Sequence, residues 1–485
     1  MYSVRLKIGS VRARFVEGAA IRRLFLVLGL LLLPCAAEAS ICSNGAGSGN
    51  STTLGTLDLK AAMQGIAYQA CYSGDANTNN SAIVQYRVTG NSTWLNAYTT
   101  ADLATSHVCT DTTANIQNIN PLNDRRATIS GTTNTYYRQF RGSIVGLSQN
   151  TSYDIQVIIC DPDNASSTAG TLSGTISTVT TSPPTGGSNT TTATTNGQLT
   201  GLIGVGGTAV GGDTINLAAN TAFSAFTIAT SGTFAHYILI NCLSGATIGS
   251  TSTGTGDFNV KISANYIVFQ NCELTASNLN GIIVSSGQHD IYIQGHTMDA
   301  ISASSPTTVG GCKPASGVNL ATGGGQSNIW ILNNVIHGAA VLAQCNAVSG
   351  GNTTFDGNAG AVSFVAISDG SIGSGGLVNS TILNTTGDGF VADGITINSG
   401  CGNLFENIEV IGSTLQDYRD DGTEFKCSTV NVRAVSNFLT VNHGATCFAP
   451  NSNIGKGAVL RAGLFCSQQV PLHDGCTGRH HLEIG

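Results

Sequence analysis

Charge is what this sequence has least of: only 10% of its 485 residues are Asp, Glu, Lys or Arg. No basic tract occurs, and Lys plus Arg (20) fall short of Asp plus Glu (27). An acidic chain without a basic face is a poor partner for nucleic acid. Beyond residue 39 no apolar run is long enough to cross a bilayer. No C-x-x-C pair is present, so the cysteines offer no zinc-ligand spacing. No G-x-S-x-G elbow appears, which leaves nucleophilic serine chemistry without support. The glycine runs 204–212 and 323–325 lack the Lys of a phosphate-binding loop. The N-x-S/T triplets are too common in so Asn- and Thr-rich a chain to indicate glycosylation.

What is abundant is glycine, with 61 copies, accompanied by Ser, Thr and Asn. With 41% hydrophobic residues and low charge density, this composition describes a packed, turn-rich β protein rather than a disordered chain. The first 39 residues read as a secretory signal. Arg5, Lys7, Arg12, Arg14, Arg22 and Arg23 flank the apolar run Leu24 to Leu33, and Ala37-Glu38-Ala39 closes it as an A-x-A site. The run is about half the length of a membrane span. The expected location is therefore secreted, extracellular or periplasmic. Removing six basic and two acidic residues leaves 14 against 25, a net charge of −11. Thirteen of the 14 cysteines remain, an odd number in an oxidising compartment, so disulfides are expected with at least one thiol left over.

Past a short N-terminal segment (40–56), residues 57–181 read as short strands separated by turns. Ala82 to Val88 alternates inward and outward, Gly90-Asn91 turns, and Ser143 to Leu147 leads into the alternating run Ser152 to Val157. Tyr153, a few residues after Leu147, has the placing of a tyrosine corner. The segment resembles the fibronectin type III family across nearly its whole length. That resemblance implies a sandwich that spaces or attaches a catalytic partner and carries no chemistry. Residues 182–198, opening with Ser182-Pro183-Pro184-Thr185-Gly186-Gly187, read as a linker.

From 199 to 465 an apolar phrase recurs and ends each time on a small or polar residue. It appears as YILINC, YIVFQNCEL, IYIQGHTM, IWILNNVI and NVRAVSNFL, reaching Cys242, Cys272, His296, Asn334 and Asn437. The irregular spacing suits one coil per phrase, with loops inserted into some coils. These phrases resemble the pectate-lyase-like superfamily, which implies an all-β right-handed parallel β-helix. Polar residues repeated at one corner are expected to form an internal ladder between coils, with His296 structural and Cys242 and Cys272 stacked alongside. Cys312 and Cys345 could staple the two longest insertions. Residues 466–485 break the rhythm as an irregular tail, and the chain could be truncated there.

Seven charges fall between Asp417 and Arg433, where the chain's overall 10% would give about two. Within Thr423–Cys427 a strand period sets Phe425 inward and Glu424 and Lys426 outward. Asp369, Asp393, Asp421 and His443 each precede glycine, and each step between them is about the length of one coil. In register they would form a column at ~5 Å per coil. Stacked carboxylates repel unless a cation, a proton or a nearby base offsets them. The plain alternative is a set of turn caps, since Asp-Gly is turn chemistry. Arg419, Lys426, Arg433, Lys456 and Arg461 gather five of the 14 basic residues, which suits a groove for an anionic polymer such as a uronate chain.

Two enzyme readings follow. A β-eliminating lyase would hold Ca²⁺ through Asp393, Asp420 and Asp421, since that hard cation takes oxygen ligands. Arg419 and Glu424 would bind substrate, and Lys426 or Arg433 would take the C5 proton. Alternatively, the order Asp393, Asp420-Asp421, His443-Gly444 is similar to polygalacturonase-like inverting hydrolases, which implies acid and water-activating roles for the acids and a role for His443. Against that pattern stand VADG in place of Asn-Thr-Asp, a longer first step, and no Arg-Ile-Lys after His443-Gly444. The stretch DDGTEFKCSTVNVRAVSNFL is closer to β-helix repeat proteins of unsettled activity. A third class is a non-catalytic surface or glycan-binding protein, since β-helices make long, protease-resistant walls. A monomer with a polysaccharide partner is expected in each case.

Overall fold

The computed structural model describes residues 50–97 (except 76 and 78), 124–127, 134–137, 139–165, 167–185, 187, 189–249, 258–275, 280–301, 316–320, 325–338, 360–366, 378–388, 393–399, 405–418, 423–426, 429–435, 437–441, 449–450, 459–462 and 465–468.

Nine antiparallel strands come first: β1 (Thr53–Ala61), β2 (Gly65–Ser73), β3 (Ser81–Val88), β4 (Leu95–Asn96), β5 (Asp124–Ala127), β6 (Asn134–Tyr137), β7 (Gln139–Val145), β8 (Ser152–Cys160) and β9 (Thr168–Ser177). Setting aside the β5–β6 hairpin, they form a three-stranded sheet β1-β2-β7 and a four-stranded sheet β4-β3-β8-β9. The period-2 pattern explains their packing. Tyr153, Ile155, Val157 and Ile159 point inward from β8 and meet Ile66, Tyr68, Phe140 and Ile144 of the other sheet in one core. The Tyr153 hydroxyl accepts the Ser148 backbone N–H at 2.9 Å, which is the expected corner bond.

From Thr190 onward every strand pairs in parallel with one a coil away. Among the described residues these strands build sheets of ten, nine and eight, visited in that order within each coil. The result is a parallel β-helix. Ile240, Phe269, Ile293, Ile331, Ile382 and Val410 occupy one inward row of the ten-stranded sheet and are fully buried. The first parallel strand, Thr190–Ala193, pairs with Thr214–Leu217 and so lies within the stretch expected to be a linker. Thr-rich segments are equally at home in a strand, and composition cannot tell the two apart. Helix α1 (Asn196–Ile203) follows, capped by Thr195, whose side chain accepts the Gln198 N–H. It covers the coil end with fully buried Leu199 and Ile203.

The recurring phrases occupy the ten-stranded sheet and the short corner after it. The first corner residue adopts positive φ at Asn271, Gly295, Asn333, Asn384 and Gly412. Asn and Gly tolerate that conformation best, which accounts for their recurrence here. The second corner residue points inward and bonds to the adjacent coil. His296 Nδ1 accepts the Cys272 N–H at 3.2 Å, and Asn334 Oδ1 accepts the His296 N–H at 3.0 Å. Farther along, Ser413 Oγ accepts the Thr385 N–H at 3.3 Å and Asn437 Oδ1 accepts the Ser413 N–H at 2.9 Å. The expected internal ladder is present, and it extends through Thr385 and Ser413 as well. Cys242 and Cys272 go beyond stacking and form a disulfide between neighbouring coils. Cys71 and Cys160 of the sandwich each belong to a disulfide of their own, while Cys312 and Cys345 lie outside the described residues.

The outer face of the ten-stranded sheet is covered by the sandwich. Tyr292 and Trp330 stack at 4.4 Å and, with Val268, Leu332 and Leu383, pack around Met63 from the β1–β2 turn. Farther along the same outward row stand Glu409 and Arg433, both with no exposed surface. Glu409 Oε2 accepts the N–H groups of Met63 (3.1 Å) and Gln64 (3.2 Å), and its Oε1 lies 3.2 Å from Arg433 Nε. Arg433 also donates to Ser143 Oγ at 3.0 Å and to Asn407 Oδ1. Gly65 is obligatory here, because a Cβ would sit 2.5 Å from Glu409 Oε1 and 2.9 Å from Arg433 Nε.

Two predictions follow from this packing. Glu409→Ala should lower stability by about 3–5 kcal/mol by stranding a buried guanidinium, whereas the apolar pair Glu409→Leu with Arg433→Met should recover most of that loss. Guanidinium unfolding midpoints check both. His296 is held neutral: burial pushes its imidazole down from 6.5 to about 4, against the opposing pull of the Phe269 and Cys272 backbone bonds. A depressed folded value means the unfolded chain binds the extra proton first. The His296 contribution is thus complete above pH 6.5 and disappears as pH falls to 4, a loss of at most about 3 kcal/mol. His296→Asn, which copies the ladder residue at 334, should flatten that part of a Tm-against-pH curve.

Candidate functional site

Asp393 opens the strand Asp393–Ser399, and Glu424 and Lys426 lie in Thr423–Lys426, the next strand of the eight-stranded sheet. The ladders assign their register. Val260, Ile282 and Val318 form a fully buried inward row that continues through Val362 and Ile395 to Thr423. Lys261, Ile283 and Asn319, each partly exposed, form the adjacent outward row, which continues through Ser363 and Thr396 to position 424. Position 426 pairs with Asn398, farther along on the same side. Glu424 and Lys426 therefore occupy outward register positions, as the strand period predicts.

Of the column of acids, Asp393 alone lies among the described residues. Ile395 pairs with Thr423, so the strand opened by Asp393 lies beside the one that carries Glu424 and Lys426. One coil earlier the partner of Asp393 is Gly360 and not Asp369, so that step of the column is out of register. One coil later Glu424 pairs with Ala449. Asp369, Arg419, Asp420, Asp421 and His443 themselves lie outside the described residues.

Arg433 departs from expectation. It belongs to the ten-stranded sheet, so it does not share the wall of Lys426 and Glu424. Its guanidinium is enclosed by Glu409, Asn407 and Ser143 and has no exposed surface. A group so placed holds the sandwich on the solenoid. A signal for this was present in the sequence: FENIEVI and VNVRAVS are consecutive phrases carrying opposite charges at equivalent positions. Charge at one position of an apolar phrase, matched by its opposite a coil away, reads as a buried pair.

Among the described residues no group of three or more His, Cys, Asp or Glu side chains is gathered to hold a metal. No helix among them is long and apolar enough to cross a membrane.

No family model matches the sequence, and no curated protein matches it. Among solved structures the chain is similar to an alginate lyase from Paenibacillus sp. str. FPU-7, with 17% identity over 57% of this chain and 95% of that one, at a TM-score of 0.37. It is also similar to PfbA, a surface adhesin of Streptococcus pneumoniae, with 10% identity over 54% and 81% at a TM-score of 0.28. The catalytic domain of a GH87 α-1,3-glucanase in complex with nigerose aligns at 11% identity over 85% and 89%, with a TM-score of 0.23. Scores this low carry no argument; the architecture rests on the strand ladders themselves.

Proposed function

We propose that this chain is a secreted, carbohydrate-active β-helix protein that cleaves an acidic, uronate-containing polysaccharide by β-elimination. The observation that carries the reading is one of register. Glu424 and Lys426 sit at outward positions of the eight-stranded sheet, one ladder step from the strand opened by Asp393. They belong to a window of seven charges in a chain that is 10% charged. In this reading Asp421, two residues before Thr423 in the sequence, joins Asp393, two residues before its ladder partner Ile395. Those carboxylates, with Asp420 adjacent in the sequence, would offer an oxygen donor set suited to Ca²⁺.

In this reading Arg419 pairs with the uronate carboxylate and Glu424 accepts a sugar hydroxyl. The Lys426 amine takes the C5 proton. The C5–H electron pair becomes the C4=C5 double bond, and the C4–O4 bond breaks with its pair going to O4, which takes a proton from solvent as the leaving chain departs. Bound calcium would offset the carboxylate charge that builds up as the proton leaves. Lys426 is the base of the two candidates because Arg433 is enclosed. The inverting-hydrolase alternative would instead use Asp393, Asp420 and Asp421 as acid and water activator, with His443 beside them. The sandwich is read as a fibronectin type III-like module, on its three-plus-four strand arrangement and the Tyr153 corner.

The test is incubation of the full chain with polygalacturonate, alginate and a neutral glucan, with and without a calcium chelator, recording the absorbance of unsaturated ends. A uronate polymer should give product, chelation should suppress it, and Lys426→Ala should reduce the rate by about 100-fold or more. Reducing ends without unsaturation would replace the lyase by a hydrolase. Glycan retention without any cleavage would make the chain a binding wall.

A further inference from the structure

One cluster of ionisable and aromatic side chains borders the docking interface and stands apart from the proposed elimination site. It stands where the eight-stranded strand Asn280–Val284 turns into the ten-stranded strand His289–Gln294. His289 Nδ1 lies 2.7 Å from Asp290 Oδ2. The other oxygen of Asp290 accepts the Tyr237 hydroxyl (3.2 Å) and the Asn328 amide (3.2 Å). Burial and the neighbouring Asp290 both push the Tyr237 hydroxyl up, so it stays protonated and keeps donating. The backbone N–H of His289 is tied to Asn265 Oδ1 at 2.9 Å. The Tyr266 ring stands edge-on to the imidazole, 5.1 Å between centroids.

Asp290 is thus fully engaged and nearly buried, and it orients one imidazole whose side chain remains 33% exposed. With Nδ1 bonded to the carboxylate, Nε2 is the nitrogen left for an outside partner. Tyr266 is partly exposed and adopts φ of 58°, a costly conformation for an aromatic residue. A fixed imidazole beside an aromatic surface matches a sugar ring, which offers an apolar C–H face and hydroxyls along its edge. A carboxylate of the ligand would stand beside that of Asp290, so the hydroxyl edge is the part that fits.

We propose that His289, oriented by Asp290 and flanked by Tyr266, is a glycan subsite that binds the hydroxyl edge of one sugar unit. It rests on the carbohydrate-active reading and extends it. Lys426 ends its strand of the eight-stranded sheet four coils beyond Asn280–Val284, close to the border where His289 stands, or about 19 Å along the solenoid at strand spacing. A polymer lying along that border would reach both His289 and Lys426.

Calorimetric titration of the full chain with hexamers of mannuronate, galacturonate and glucose tests it, using Lys426→Ala throughout so that nothing is cleaved. At least one hexamer should bind. Tyr266→Ala and His289→Ala should each weaken it about tenfold, and His289→Gln, which keeps a donor, should recover part of the loss. The ¹⁵N shift of His289 Nε2 should move on binding, which a purely structural histidine would not show. Should Tyr266→Ala melt early, Tyr266→Leu retains the bulk and removes the aromatic surface. Failure of every hexamer to bind, or affinities within twofold of the parent in folded variants, overturns the subsite. The elimination reading is judged separately, by Lys426→Ala turnover on polymer: its failure leaves the hexamer titrations standing, and theirs leaves it standing.

Discussion

A coil of parallel strands cannot pair its backbone with itself. Every N–H and C=O along it depends on the coil before and the coil after, so register between coils is the constraint beneath everything else in this molecule. It is pinned most firmly at the short corner after the ten-stranded sheet. There a residue at positive φ reverses the chain, and an inward polar side chain takes a backbone N–H from the neighbouring coil. His296, Asn334, Ser413 and Asn437 differ in size and chemistry but meet the same need. An unmet backbone N–H inside the solenoid would cost about 1–3 kcal/mol. On the other side of the sheet the outward amides Asn216, Asn241, Gln270 and Gln294 bond side chain to side chain from coil to coil, at 2.7–3.1 Å.

Register also decides what the charged residues can do. Glu409 and Arg433 are paired because their strands are adjacent in the ladder, and the sandwich seals them by adding two backbone N–H groups and the Ser143 hydroxyl. The arrangement leaves the guanidinium no route to solvent, and it makes the N-terminal module a fixed part of the solenoid wall. A module resembling a spacer is here an outer layer of the core. Tyr292 reinforces the contact, its hydroxyl donating to the Thr180 carbonyl while its ring packs on Trp330.

Much of this was legible in the sequence because the solenoid writes its period directly. The phrases ending at Cys272, His296 and Asn334 are strand plus corner, and the steps between them equal the ladder offsets Ile267↔Ile291 and Ile291↔Ile329. Two coils between Asn334 and Asn437 escaped notice because their corners hold Thr385 and Ser413, which do not stand out in a chain rich in Ser and Thr. The step across the first of them, from Ile331 to Ile382, is too long to suggest a single coil. The Arg433 expectation failed for a different reason. Position in sequence placed it near Lys426, and only the alternation of sheets within a coil separates the two onto different walls. The Asp-Gly column relied on equal steps, and loops inserted into individual coils break equality without breaking the fold.

Where those insertions fall narrows the choice of functional surface. The corner after the ten-stranded sheet keeps the same short length in successive coils, and its inward bonds leave no room for more. The outer face of the ten-stranded sheet is taken up by the sandwich over Val268, Tyr292, Trp330 and Glu409. The largest extra lengths, 302–315 and 339–359, both lie between a nine-stranded and an eight-stranded strand. Sequence freedom and charge therefore meet at the eight-stranded sheet and its borders. His289 lies at one border, and Asp393, Glu424 and Lys426 lie within the sheet itself. Chemistry needs a surface that register supports but packing does not consume, and among the described residues the eight-stranded wall meets both conditions and also carries Glu424 and Lys426 at outward positions.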